Sequence, residues 1–260
     1  MTYQKAEQIF KVRGLNLSYG PKQVLRDINV DIANITRPGI NQGQVIALLG
    51  PSGIGKTQLF RCIAGLQPFQ GELTMFDKPV QAGEVGVVQQ AYPLMNHRTV
   101  WSNLMLAAHR KPERIAEAER LLTHFGLTDK KDSYPQQLSG GQRQRVAIVQ
   151  QLVCSSFFLL MDEPFSGLDV VAKDRVMDTI RAVTTVHEHN TVIFTTHDIE
   201  SAVALADDVW VLGREEGKPG ATIVKRLDQA ASGLAWSADV RRHPAFGPTV
   251  LELRELFSKI

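Results

Sequence analysis

The sequence predicts an α/β fold with a largely parallel sheet, and three observations carry that expectation. Apolar runs of strand length alternate with helical stretches along most of the chain. The unbroken apolar run Val45–Leu49 leads directly into Gly50-Pro51-Ser52-Gly53-Ile54-Gly55-Lys56-Thr57 and then into the helix-compatible segment Gln58–Ala64. From about Ala91 to Ser156 the alternation gives way to mostly helical sequence, which reads as an insertion within one unit spanning residues 1–260.

Each element has a local reason. Phe10–Leu17 alternates in places and ends at the turn signal Ser18-Tyr19-Gly20-Pro21. Val24–Ile32 is a second strand, with Ile28, Val30 and Ile32 on one face, and Asn34–Gln44 reads as a loop rich in Asn, Gly and Pro. The helix after Thr57 stops at Gly65-Leu66-Gln67-Pro68. Gly71–Phe76 and Glu84–Val88 are short strands, and from Ala91 the pattern turns helical, with Thr99 as N-cap for Val100–His109. Pro112 opens a helix with Ile115, Ala118, Leu122 and Phe125 on one face, closed by Gly126. Ser139-Gly140-Gly141 starts a helix to about Val153. The apolar strand Phe157–Met161 ends in Asp162-Glu163-Pro164, and a helix follows over Val170–His187. Thr191–Thr195 is a strand, then Thr196-His197-Asp198 leads into a short helix through Ala206. Asp208–Leu212 and Ala221–Leu227 are strands around a charged turn, and Val250–Lys259 is a helix with Val250, Leu253, Leu256 and Phe257 on one face. The tail is the stretch from about residue 214 to residue 260.

Composition narrows the class. Charged residues make up 22%, and the formal net charge is only +2, so no strong basic field argues for nucleic acid. The longest apolar runs, Phe157–Met161 among them, are far below the roughly 20 residues that span a bilayer, and Met1–Gly14 has no apolar signal core. The expected setting is therefore cytoplasmic. Cys62 and Cys154 fall in apolar helical patterns outside any C-x-x-C unit and read as buried thiols of a reduced compartment.

Gly50–Thr57 fits G-x-x-x-x-G-K-[ST] between a strand and a helix N-terminus. There the glycines let backbone N–H groups curve around an anion, and the helix dipole favours negative charge. Lys56 then reaches β- and γ-phosphates, and the Thr57 hydroxyl reaches Mg²⁺. Asp162, ending a strand, stands where a carboxylate holds Mg²⁺, and Glu163 can orient or deprotonate a water. Taken alone, Asp162-Glu163-Pro164 reads equally as a strand-ending turn. Ser139-Gly140-Gly141-Gln142 is a second anion-ready helix start, and in isolation an ordinary N-cap. His197 can hydrogen-bond a γ-phosphate, and Gln90 can reach Mg²⁺ or the attacking water; neither is assignable by itself.

In this order, the set resembles the nucleotide-binding subunit of an ATP-binding cassette (ABC) transporter, over about residues 8 to 213. The resemblance implies a P-loop NTPase (RecA-like) core, an N-terminal antiparallel β subdomain, and an inserted helical subdomain over about residues 91 to 156. It makes Tyr19 the aromatic residue that stacks on adenine, Gly50–Thr57 with Gln58 the phosphate loop, and Gln90 the glutamine of the loop that binds Mg²⁺. It makes Leu138-Ser139-Gly140-Gly141-Gln142 the signature, Asp162 the metal carboxylate, Glu163 the general base, Ser166-Gly167-Leu168-Asp169 the D-loop and His197 the switch histidine. Gln58 departs from the family's Ser or Thr, Gln89 replaces an aromatic, Gly167 replaces Ala, and the Asn34–Gln44 loop is longer than usual.

The resemblance further implies ATP and Mg²⁺, and a homodimer or paired ABC subunits in which Ser139, Gly140 and Gly141 of one chain cover ATP held by Lys56 of the other. It implies separate membrane permease subunits, a periplasmic or surface solute-binding protein, and a place on the inner face of the membrane. Tyr92–Trp101 is the segment expected to meet the permease, although Met95 and Trp101 also read as core of the helical insertion. Tyr92–Val100 resembles importers. Lys218-Pro219-Gly220 and Arg242-His243-Pro244-Ala245-Phe246 are similar to the branch importing nitrate, sulfonates and taurine. The rivals are an exporter or lipoprotein-release ATPase and a non-transport ABC protein. The latter usually pairs two cassettes or carries long coiled coils, which this chain lacks.

Overall fold

A computed structural model of the chain describes residues 4–36, 42–89, 91–108, 112–155, 157–237 and 239–260. Among them, two sheets meet around a shared core. The first is antiparallel, in the order β2-β1-β4-β5, from β1 (Gln4–Tyr19), β2 (Lys22–Thr36), β4 (Gln70–Met75) and β5 (Lys78–Pro79). The second contains β3 (Gln44–Leu49), β6 (Gly86–Val88), β7 (Phe158–Met161), β8 (Thr191–Thr196), β9 (Asp208–Gly213) and β10 (Thr222–Asp228), in the order β10-β9-β3-β8-β7-β6. It is parallel except for β10, which runs antiparallel to β9.

Alternation along the parallel strands divides the interior in two. Ile46, Leu48, Phe158, Leu160, Ile193, Trp210 and Leu212 point toward the antiparallel sheet and α1 (Lys56–Ile63). Val45, Ala47, Leu49, Leu159, Met161, Val192, Phe194, Val209 and Val211 point the other way. That face is covered by α4 (Gly140–Cys154), α5 (Val170–Thr184), α6 (Ile199–Leu205) and α7 (Phe246–Phe257). Strands buried on both faces read as continuous apolar runs, which is why β3 and β7 were visible in the sequence, and β8 shows an apolar centre at Val192–Phe194.

The remaining helices, α2 (Val100–Ala108) and α3 (Ile115–His124), pack with α4. Residues 91–99 form a turning loop, and α2 starts at Val100, where Thr99 was expected to cap it. The buried Asn103 amide holds it by donating to the carbonyls of Met95, Arg98 and Thr99 and accepting from Met95 N–H at 2.8 Å. The Thr99 hydroxyl accepts Ser102 N–H at 3.2 Å, the expected cap. Pro112–Arg114 forms a single 3-10 turn before α3. The α3 stripe is Ala118, Leu121, Leu122 and Phe125; Ile115, on the first helical residue, is exposed.

Other boundaries shift modestly. Asn34, Ile35 and Thr36 extend β2 instead of opening a loop, and residues 37–41 of that expected loop lie outside the described residues. α5 ends at Thr184, three residues short of His187. α7 begins at Phe246, earlier than its expected start, and buries Val250 and Leu253. Cys62 is buried, with burial pushing its thiol up to about 11, whereas Cys154 is only half-buried, unlike the expectation for both.

Ion pairs tie the tail to the parallel core: Arg241 to Asp174 of α5 and Arg254 to Glu200 of α6, each at 2.8 Å, and Arg226 of β10 to Asp208 of β9 at 2.6 Å.

Candidate functional site

Parallel pairing brings the C-terminal ends of β3, β7 and β8 to one edge, where open α/β sheets bind ligands. Backbone bonds fix that edge. Gly50 N–H donates to Thr196 O at 3.1 Å, and Asp162 N–H donates to Val88 O at 3.2 Å. The phosphate loop leaves β3 here. A Cβ added at Gly50 would lie 2.7 Å from the Leu212 carbonyl, so glycine is required by close approach. Gly55 has φ +120° immediately before α1, another glycine-only conformation.

Lys56 is buried, and its ammonium finds three oxygens. It donates to Gly50 O at 2.7 Å and Pro51 O at 3.1 Å, and it lies 3.1 Å from Glu163 Oε1. The second carboxylate oxygen, Glu163 Oε2, is 3.0 Å from His197 Nδ1. Lys56, Glu163 and His197 therefore form one continuous chain of contacts across the ends of three strands. Glu163 holds it with a left-handed backbone, φ +48°, a conformation that costs a non-glycine residue about 1 kcal/mol or more and clusters at functional sites.

Beside this chain, Thr57 Oγ1 donates to Asp162 Oδ2 at 3.1 Å, and Thr195 Oγ1 donates to Asp162 Oδ1 at 2.7 Å. Thr195 Oγ1 also accepts Glu163 N–H at 2.8 Å, so one hydroxyl orients both acidic residues. Thr195 was missed in the sequence, where it reads as the last residue of an apolar strand; the following Thr196-His197-Asp198 was the available signal. A hydroxyl and one carboxylate, with no group of three or more His, Cys, Asp or Glu able to hold a metal among the described residues, suit a hard cation that takes its other oxygens from phosphates and water.

A pocket of about 370 Å³ opens from the loop, lined by Tyr19, Lys22, Gln23, Val24, Gly53, Ile54, Gly55, Lys56, Thr57, Gln58 and Arg214. Tyr19 and Gln58 thus stand together there. Lys22 and Arg214 add positive charge that the sequence did not single out. Pro51 and Ser52 complete the loop turn.

The predicted signature is at the start of α4, in a reciprocal capping box. Ser139 Oγ accepts Gln142 N–H at 3.3 Å, and Gln142 Oε1 accepts Ser139 N–H at 2.8 Å. Gln142 is thus engaged in the cap, while Gly140 and Gly141 are exposed with open space around their Cα atoms. Within the chain, no described hydrogen bond or ion pair joins this helix start to Lys56, Asp162, Glu163 or His197. Gln90 lies outside the described residues. Its near neighbour Tyr92 accepts a hydrogen bond from the buried Gln144 of α4 at 2.7 Å, linking that loop to the signature helix. Trp101 is half-buried beneath Lys131 Nζ, 3.8 Å from the ring centre, whereas Met95 is exposed.

A strand, glycine loop and helix, with a buried Lys and an acidic pair at the neighbouring strand end, define a P-loop nucleotide-binding α/β protein. Comparison with known proteins resolves the class further. The family described as "ABC transporter" matches residues 34–166. The L-cystine import ATP-binding protein TcyC of Bacillus subtilis is 39% identical over 217 residues, covering 76% of this chain and 84% of that protein. The aliphatic sulfonates import ATP-binding protein SsuB 2 of Paraburkholderia xenovorans is 36% identical, covering 77% and 75%. Among solved structures, cbiO1 of Clostridium perfringens, part of the ABC transporter complex cbiONQ, superposes with TM-score 0.73 at 25% identity over 96% of this chain and 100% of that one. The chain belongs to the ABC transporter family, as an ATP-binding subunit and ATPase. Membership implies membrane permease partners, and among the described residues no helix is long and apolar enough to cross a membrane.

Proposed function

We propose that the chain powers import of a small polar or anionic solute, by hydrolysing ATP with Mg²⁺ on the inner face of the membrane. The observation that carries the mechanism is the Lys56–Glu163–His197 chain beside the Thr57–Asp162 pair. Lys56 is poised to exchange Glu163 for the β- and γ-phosphate oxygens. Glu163, once released, is the base that takes a proton from water. His197 then donates from its ring toward the γ-phosphate. Thr57, Asp162 and Gln90 are the residues to hold Mg²⁺, whose charge neutralises the phosphate oxygens when bound. Tyr19 supplies the face for adenine, Gly50–Thr57 surround the phosphates, and Gln58 stands beside Tyr19 on the first turn of α1.

The signature residues Ser139, Gly140, Gly141 and Gln142 belong to a second half-site. The absence of any described hydrogen bond or ion pair from them to Lys56 supports a head-to-tail dimer of two copies, or of paired ABC subunits, each closing the other's nucleotide. Residues 1–260 then form one nucleotide-binding domain, with the helical block at about 91–156 as a subdomain. Import is favoured over export by the curated relatives, which are named for import of cystine and sulfonates. Their cargo supports a polar, often sulfur-bearing solute, delivered by a separate solute-binding protein as the family resemblance implies. The exposed Met95 and the loop held by Asn103 fit the permease contact.

Two assays test the reading. The purified chain is expected to hydrolyse ATP with Mg²⁺, and to lose activity with EDTA or on Lys56→Ala substitution. Co-expressed with its permease, it is expected to drive ATP-dependent uptake into vesicles whose outer face carries the solute-binding protein. Hydrolysis insensitive to Lys56→Ala overturns the site, and ATP-driven efflux overturns the direction.

A further inference from the structure

Gln58 is where the phosphate loop departs from the pattern of its family, and its side chain has a partner outside the loop. The Tyr19 hydroxyl lies 3.0 Å from Gln58 Oε1 and 3.2 Å from Gln67 Oε1. Tyr19 ends β1 at the hairpin turn, pairs with Lys22 across it, and is 47% exposed. Gln58 is on the first turn of α1, directly after Thr57, and Gln67 follows that helix. The Gln67 amide donates to Pro68 O at 3.3 Å, which leaves its oxygen facing the phenol. A phenol carries one proton, so it donates to one amide oxygen at a time, and either acceptor keeps the ring beside the pocket.

We infer that Gln58, with Gln67 as alternate acceptor, is a positioning residue that fixes the Tyr19 ring as a platform for a planar base beside the phosphate loop. The inference rests on the role proposed above for Tyr19. It gives the departure from Ser or Thr a purpose: the side chain serves the base end of the nucleotide instead of its phosphates. An exposed aromatic at a hairpin tip otherwise loses rotamer freedom on binding, and holding its hydroxyl removes part of that cost beforehand. One neutral hydrogen bond corresponds to about three- to tenfold in affinity.

Calorimetric titration with two Mg²⁺-loaded probes tests this. The imido analogue of ATP has base and phosphates; tripolyphosphate has phosphates alone. Tyr19→Phe is expected to weaken the analogue about three- to tenfold. Gln58→Met with Gln67→Met is expected to match that loss, and adding Tyr19→Phe to the pair is expected to lose nothing more. Tripolyphosphate affinity is expected to stay constant throughout, which a merely structural defect in the loop would not allow. The inference is overturned if the Gln pair weakens tripolyphosphate, if the losses add in the triple variant, or if neither Tyr19→Phe nor the Gln pair weakens the analogue. Tyr19→Ala separates the two levels. Strong loss there with no effect of the Gln pair removes the clamp alone, whereas no loss in Tyr19→Ala removes the base platform too.

Discussion

Glu163→Gln should slow hydrolysis severely while tightening ATP binding, and both effects follow from the same contacts. The carboxylate sits between Lys56 Nζ at 3.1 Å and His197 Nδ1 at 3.0 Å. An amide keeps the shape but cannot accept a proton from water, and removing a general base costs about 10²- to 10⁴-fold in rate. The second effect comes from competition. The Glu163 carboxylate occupies the ammonium that the phosphates need. Lys56 is 6% exposed, but Glu163 is 22% exposed at the side chain, so water screens part of their attraction. A charge-assisted contact of this kind contributes about 1 kcal/mol net. Released by Glu163→Gln, that contact is expected to tighten ATP about fivefold. Single-turnover hydrolysis and equilibrium titration of the same protein measure the two numbers. Turnover near the wild-type rate would refute the base assignment. Weaker ATP binding would refute the competition.

Three further outcomes concern the scaffold. Gly50→Ala places a methyl 2.7 Å from the Leu212 carbonyl, so thermal denaturation should show a loss of about 1–3 kcal/mol together with weaker ATP binding. Leu253→Ala, at a fully buried α7 position, should cost about 3 kcal/mol, seen as a lowered denaturant midpoint. Burial pushes the Asp198 carboxyl up, but hydrogen bonds from Lys173 and Ser201 outweigh it and hold it below the usual range. Its stabilisation is therefore complete above about pH 4 and lost as pH falls through the depressed value. Asp198→Asn keeps an N-cap residue on α6, so it should remove about 1 kcal/mol at pH 7 and flatten the acid limb of a pH-stability series.

The parts of the fold legible in sequence were those set by local pattern. β3 and β7 carry continuous apolar runs, and β8 an apolar centre at Val192–Phe194, because both faces are covered, and Gly50–Thr57 carries its own geometry in its glycines. The start of α4 was legible twice over. Ser139-x-x-Gln142 is a capping box, and the same residues are the ones proposed as the signature, so the bland and the functional readings coexist. Contacts between distant segments were not legible. No spacing rule leads from Thr195 to Asp162 and Glu163, or from Tyr19 to Gln67, because the sheet register creates those meetings. The loop before α2 was illegible for a related reason: the buried Asn103 side chain, inside the helix, supplies the bonds that hold residues 95–99 there.

The central claim is that Lys56 and Thr57 build half a site whose other half is Ser139 of a second copy. Sedimentation of the Glu163→Gln chain in saturating Mg²⁺ and ATP, with and without Ser139→Arg, tests it most directly. The account predicts an ATP-dependent dimer that Ser139→Arg abolishes while ATP binding to the monomer persists. A Ser139→Arg chain that dimerises with ATP as fully as its parent would contradict it.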